Sequence, residues 1–374
     1  MRIAVVLTGG LHPSGEVEVI PAYLGLLASL ARRHEVHAFA LRHLPEPCTY
    51  TLRGVTVHDL GRPSAPRGLG RLAQYRALVR TMRRTGPFDV VHGIWGDPAG
   101  VLAALAGRAL GRPSVVTCTS GEFVSVPEAD YGLQRTARGH LTMALAARLA
   151  TRLHVATEYA AGQARRLGLE PVVIPIGIDT ASFAPAAAPD EGPPWRLLQV
   201  ASLNRVKHQA LLVDAVARLS HRLPVALDLA GEDTLGGRLQ ARAHRAGVAD
   251  RIAFHGVLPQ AELAPLYARA HLYVQTSWHE GAGVSVQEAA SAGVPVVGTR
   301  VGYVADWAPG AACAVDLPSP AALADAIHAL LDDPARRAAL AAGALARVRA
   351  HDVEATSAAF TALYASLAGT LESA

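Results

Sequence analysis

The chain has little cysteine. Its three residues, Cys48, Cys118 and Cys313, are odd in number, far apart and form no CxxC. They suggest neither a disulfide framework nor a zinc site, and a reducing cytosol fits. Lysine is scarce, and charged residues make up only 18% of the 374 residues. The net charge of +4 makes no general case for nucleic-acid binding, so none is expected. Long hydrophobic runs are also missing. No uncharged apolar run approaches the ~18–20 residues that a spanning helix needs. The run Ile3–Leu7 ends in glycines and is too short for an export signal; it reads as a first buried strand.

Apolar residues reach 51%, enough for a large core, and the length suggests two domains. Short apolar runs alternate with alanine- and leucine-rich helical stretches. Candidate strands are Ile3–Leu7, Val36–Leu41, Val55–Leu60, Val90–Gly93, Ser114–Thr119, Leu153–Ala156 and Val172–Pro175. The stretch "GIDTASFAPAAAPDEGPPW" then breaks the pattern with Pro185, Pro189, Pro193 and Pro194. Alternation resumes with Arg196–Val200, Val225–Gly231, Ile252–Gly256, Leu272–Gln275, Val294–Thr299 and Ala312–Asp316. The reading is an α/β chain with a parallel-sheet domain at 1–176, a linker at 177–194 and a second such domain at 195–352. A C-terminal helix at 353–374 is expected to pack back on the first domain. Ligands of such domains meet loops at the carboxyl ends of strands, here expected to face an interdomain cleft.

One segment carries chemistry: "SWHEGAGVSVQEAASAGVPVVGT", with Glu280 and Glu288 eight residues apart. Gly281 and Gly283 keep Glu280 out of a helix, since glycine is costly there. From Val284 the pattern turns helical, so Glu288 lies one turn inside. The glycines let a ligand approach the backbone, and the helix start offers unpaired N–H groups suited to an anion. Glu288 is placed to accept from a vicinal diol, as the acid of dinucleotide folds does from ribose. An ordinary strand–loop–helix with two solvated acids fits the spacing equally well.

The segment resembles the E-x7-E motif of glycosyltransferase family 4, usually P-S-x-x-E-G-F-G-x-x-x-x-E-A-x-A-x-G-x-P-V-V. "DVVHGIW", "VVIPIGIDTASF", "VASLNRVKHQALLVDAVARL" and "IAFHGVLPQAELAPLYARAHLYVQTS" resemble further family segments in the expected order. The resemblance implies a GT-B architecture of two Rossmann-like domains and a retaining transferase that uses a nucleotide-sugar donor. It implies that Glu288 holds the ribose and Lys207 the diphosphate. Glu280, with Gly281, Ala282, Gly283 and Val284, would face the donor sugar, and Gly256, Val257 and Leu258 would border the base. The first domain would bind the hydroxyl acceptor, with Gly15, His92, Thr119, Ser120, Gly121 and Glu122 as candidates. His92 is placed at a strand end, with a structural histidine as the other reading.

The departures are informative. Family members carry an arginine where this chain has Ser202, so Arg205 is proposed to take over its phosphate contact. A family histidine is replaced by Thr119, an asparagine by Ile176 and a phenylalanine by Ala282. No D-x-D occurs, and fixed cations can stabilise a leaving diphosphate in place of a metal. Neither a metal nor another cofactor is therefore expected. From Gly61 to Phe88 the chain has seven arginines and no acid, with Arg76, Arg80 and Arg84 at i+4 steps. Segment 62–84 reads either as a solvated helix or as a weak peripheral contact with the inner membrane face. The function expected is transfer of a sugar to a glycan, lipid-linked or small-molecule hydroxyl. The alternatives are a GT-B epimerase, a glycoside phosphorylase and a non-catalytic nucleotide-sugar-binding protein.

Overall fold

The apolar runs form two parallel sheets. The computed structural model describes residues 1–62, 67–185, 192–316 and 319–372. It divides into two units: Met1–Ser125 with Gly132–Gly177 and Val353–Ala374, and Val126–Tyr131 with Ile178–Asp352.

The first unit contains β1 (Arg2–Leu7), β2 (Glu35–Ala40), β3 (Cys48–Leu52), β4 (Val55–Asp59), β5 (Val90–Ile94), β6 (Ser114–Thr117), β7 (Arg152–Val155) and β8 (Val172–Val173). Its connecting helices are α1 (Pro21–Ala31), α2 (Arg67–Thr85), α3 (Val101–Leu110), α4 (Ala137–Leu149) and α5 (Glu158–Arg165). The sheet order is β3-β4-β2-β1-β5-β6-β7-β8. Ile3, Ala4, Val5 and Val6 are 0% exposed, the signature of a strand covered on both faces. β3 was not expected. It runs antiparallel to β4, and the turn between them puts Arg53 and Gly54 at positive φ. Its "CTYTL" lies at the sheet edge and is mostly exposed, so it carries no apolar run.

The second unit contains β9 (Trp195–Val200), β10 (Val225–Ala230), β11 (Ile252–Gly256), β12 (Leu272–Gln275), β13 (Val296–Thr299) and β14 (Cys313–Val315). Its helices are α6 (Gln209–Leu219), α7 (Arg238–Arg245), α8 (Gln260–Ala268), α9 (Val284–Ser291), α10 (Gly302–Trp307), α11 (Pro320–Leu331) and α12 (Pro334–Ala350). The parallel order β11-β10-β9-β12-β13-β14 starts in the middle, at β9. The chain runs outward to β11, then returns to the other side of β9 to make β12. β9 and β12 therefore flank a topological switch point, where loops diverge and leave a crevice for a ligand. In the first unit the equivalent position lies between β1 and β5.

The last helix, α13 (Val353–Glu372), belongs to the first unit. Phe360 and Tyr364 are fully buried there, and the Thr356 hydroxyl donates to Pro175 O at 2.8 Å. Two boundaries need correction. Residues 126–131 lie with the second unit. Ile178 and Phe183, inside the expected linker, are buried in the second unit, while 186–191 fall outside the described residues.

Candidate functional site

Two loops meet at the switch point of the second unit, one after β9 and one after β12. They are stitched together by backbone and side chain. Trp278 N donates to Val206 O at 2.8 Å, and the Thr276 hydroxyl donates to Lys207 O at 2.9 Å. The Trp278 and His208 rings stack at 4.7 Å. Asn204 Oδ1 accepts from Lys207 N at 2.9 Å and fixes the turn before α6.

Lys207 and Glu280 are brought into direct contact. Lys207 Nζ lies 2.6 Å from Glu280 Oε1, which the Ser277 hydroxyl also reaches. The Glu280 side chain is 10% exposed and that of Lys207 27%. Of the chain's 35 lysines and arginines, Lys207 is the only lysine. Arg205 is exposed in the same loop and makes no ion pair among the described residues. Ser202 is exposed, and its carbonyl accepts from the Gln209 side chain at 3.1 Å.

The glycine loop is tightly supported. Gly283 stands at φ +95°, and a Cβ there would meet Gln275 Oε1 at 2.8 Å. Beneath Ala282, Gly302 stands at φ +54°; a Cβ would sit 2.3 Å from Ala282 O and 2.8 Å from Glu280 Cβ. α9 begins at Val284, so Glu288 projects from its second turn. The Glu288 Oε2 accepts from the buried Tyr267 hydroxyl at 2.7 Å. Burial pushes this carboxyl above the ordinary carboxylate range, and the Tyr267 hydrogen bond opposes the rise. Gly256, at φ +67°, ends β11 and is exposed, as is Val257 just beyond it, with Leu258 half-buried. The candidates expected on the donor side thus gather at the carboxyl ends of strands in one unit.

The candidates of the first unit do not form one group. Gly15 lies toward the β3 edge, where a Cβ would meet Leu52. The Thr119–Glu122 loop follows β6, on the other side of β1. There the Thr119 hydroxyl bonds with Tyr23, and Ser120 is exposed beside buried Gly121. Glu122, 2% exposed, accepts from Gly96 N at 3.1 Å and Ser120 N at 2.7 Å. Burial pushes its carboxyl up, against those two N–H groups. His92 must be moved from the strand end to the core. It pairs with Val5 and Val115 inside β5, is 1% exposed, and bonds Tyr364 and Thr117 with its two ring nitrogens.

Sequence reasoning missed Trp95, Ser277, Tyr267 and Gly302. Ser277 stands where the E-x7-E pattern has its serine, which was a usable signal. Trp95 holds φ 68°, ψ 147°, a region close to glycine's own, in the loop leaving β5. Tyr23 packs edge-on against it at 5.6 Å. No group of three or more His, Cys, Asp or Glu side chains is placed to hold a metal among the described residues.

Two parallel α/β units, the second with two carboxylates and a lysine around its switch point, define a doubly wound α/β protein. Residues 184–347 match the model for glycosyl transferases group 1, and residues 20–177 that for the glycosyl transferase 4-like domain. The chain belongs to this glycosyltransferase family, and its fold is GT-B. The D-inositol 3-phosphate glycosyltransferase of Xylanimonas cellulosilytica is 33% identical over 212 residues, 52% of this chain and 50% of that protein. A glycogen synthase of Mycobacterium tuberculosis is 38% identical over 173 residues, covering 44% and 41%. The chain therefore spans about half the length or less of these curated relatives. Sucrose-phosphate synthase from Thermosynechococcus elongatus superposes with a TM-score of 0.81 at 21% identity, over 99% of this chain and 100% of that one. Anabaena HepE in complex with UDP-glucose gives 0.74 at 19% identity, over 100% of both chains. At those identities the likeness establishes the fold.

Proposed function

We propose that the chain is a retaining glycosyltransferase that moves a hexose from a nucleotide-sugar donor to a hydroxyl acceptor, without a resident metal. The observation that carries this reading is the Lys207–Glu280 pair at the β9/β12 switch point, with Glu288 in the helix that follows. Glu288 has an oxygen for the ribose diol. Lys207 exchanges its Glu280 partner for the donor diphosphate, and Glu280, so released, accepts from a sugar hydroxyl. The C1–O bond to the diphosphate breaks, and the acceptor oxygen bonds C1 from the same face. The acceptor proton leaves on the phosphate oxygen. Negative charge grows on the diphosphate, where Lys207, and Arg205 in place of the family arginine, act as preorganised cations.

The relatives are named for acceptors as unlike as inositol 3-phosphate and a lipopolysaccharide core, so the acceptor is assigned only as a hydroxyl. Arg76, Arg80, Arg83 and Arg84 are exposed on α2, which supports contact of a cytoplasmic enzyme with an anionic membrane face. No helix is long and apolar enough to cross a membrane among the described residues.

The single lysine makes the test direct. Acetylation by an amine-reactive ester, mapped by peptide mass, reports Lys207 and the α-amine separately. UDP-, GDP-, ADP- and dTDP-sugars are each tried as protectants in EDTA. One of them should shield Lys207 alone and then be consumed with an acceptor, giving a product of unchanged anomeric configuration. Labelling of Lys207 unaffected by every donor would reject the diphosphate assignment. Inversion, or activity lost in EDTA and restored by manganese, would reject the mechanism.

A further inference from the structure

The proposed ribose acid is itself held from behind. Tyr267, on α8, is fully buried, and its hydroxyl donates to Glu288 Oε2 at 2.7 Å. The other oxygen, Oε1, takes no hydrogen bond among the described residues, and Glu288 as a whole is half-buried. A carboxylate with only one oxygen occupied has a defined direction. We infer that Tyr267 is a positioning residue of the nucleotide site, its hydroxyl holding one oxygen of Glu288 so that the other meets the ribose diol. This rests on the reading of Glu288 given above.

The ring that carries the hydroxyl has little freedom. Phe183 packs edge-on against it at 5.5 Å and Tyr273 stacks on it at 6.0 Å. Phe183 belongs to the short turn Thr180–Phe183, and Thr180 O accepts from the Ser291 hydroxyl at 3.0 Å, at the end of α9. One segment thus braces both the tyrosine and the helix bearing the glutamate. The hydroxyl supplies what packing alone does not, a donor aimed at a carboxylate in a partly dry site. There a charge-assisted hydrogen bond is stronger than in water.

The test uses a ligand that lacks the diol. Calorimetry compares UDP with 2′,3′-dideoxy-UDP, with the GDP and ADP pairs alongside, on the parent, Tyr267→Phe, Glu288→Ala and the double variant. Tyr267→Phe should weaken the diol nucleotide about three- to tenfold, the scale of one net hydrogen bond. The dideoxy nucleotide should bind as before. In the Glu288→Ala background the Tyr267→Phe effect should vanish, as a double-mutant cycle requires of coupled groups. Phe183→Leu, which keeps the hydroxyl but loosens the ring, should give a smaller loss with the same selectivity. Equal losses for both nucleotides would mark Tyr267 as a packing residue and overturn the inference. A diol-selective loss in Glu288→Ala with none in Tyr267→Phe would overturn it while leaving the ribose reading intact. No diol-selective loss in Glu288→Ala would overturn both.

Discussion

Lowering the pH from 7.5 to 5.0 should destabilise the first unit through His92 and His154. The hydrogen bonds between them have only one polarity. Ile174 O can only accept, so His154 Nε2, at 2.8 Å, carries the hydrogen. His154 Nδ1 must then accept from the Thr117 hydroxyl at 2.8 Å. Thr117 in turn accepts from His92 Nε2 at 2.6 Å, which leaves His92 Nδ1 to accept from Tyr364 on α13 at 2.6 Å. A further proton on either ring would place a charge in the buried core and force the Tyr364 or Thr117 hydroxyl to reverse. Burial pushes His92 down to about 3 and His154 down to about 4. Both folded values lie below the unfolded value of about 6.5, so between there and about 4 the unfolded chain binds more protons. Stability is therefore full above about pH 6.5 and falls as the pH drops through that window. Each ring costs about 1.4 kcal/mol per pH unit, or about 2 kcal/mol by pH 5.0 and about 4 kcal/mol for the pair. Calorimetry from pH 7.5 to 5.0 should show this slope, and His154→Gln should reduce it by about one ring's share. Nitrogen-15 spectra should report both rings as Nε2–H tautomers. Either ring titrating near pH 6.5 in folded protein would refute the chain of bonds and reopen His92 as an acceptor contact.

Three further outcomes bear on the proposed donor site. Arg205→Ala should lower kcat/KM by a factor of order 10²–10³, the scale for losing one donor to developing charge. Ser202→Arg in that variant should recover part of the loss, and near-normal kcat/KM in Arg205→Ala would leave Lys207 as the one cation proposed for the phosphate. Gly302→Ala should keep the second unit folded but displace the Ala282 loop, lowering kcat/KM by on the order of 10²; unchanged kinetics would mean that the loop tolerates the shift. Lys207→Arg should behave as a loss rather than a conservative change, because a planar fork grips Glu280 where an ammonium can be exchanged. Full donor turnover by Lys207→Arg would reject the exchange.

The parallel sheets were legible because a strand buried on both faces must be written as a continuous apolar run. Ile252–Gly256 and Leu272–Gln275 carry the same bounds in sequence and structure. β3 was not legible, since an exposed edge strand closed by a tight turn needs no such run. The E-x7-E segment revealed its loop and helix because glycine and helix-start chemistry are local. His92 misled for the opposite reason: its partner Tyr364 lies 272 residues further on, beyond the reach of any local pattern. Tyr267 escaped in the same way. In "LAPLYARA" it reads as one more apolar position, and only the packing of α8 against the Thr180–Phe183 turn turns its hydroxyl into a partner for Glu288. Local signals marked the candidate loops, and distant contacts decided which side chains the fold brings to them.

The lone lysine points the same way. This chain uses arginine almost everywhere it places a cation, on the exposed face of α2 and in ion pairs such as Arg242–Asp214 and Arg165–Glu158. A surface cation can be either residue, so a bias toward arginine costs nothing there. At position 207 the two differ physically. An ammonium is a compact point charge with three rotatable donors, able to turn from a carboxylate to a phosphate without breaking a planar bidentate fit. It also fits beside Ser277 on a single oxygen of Glu280, where a guanidinium would need both oxygens in one plane. A lysine kept at the one place where a nucleotide's charge would have to displace a glutamate is therefore hard to assign to surface solvation. It fits a cation whose partner changes when the donor arrives.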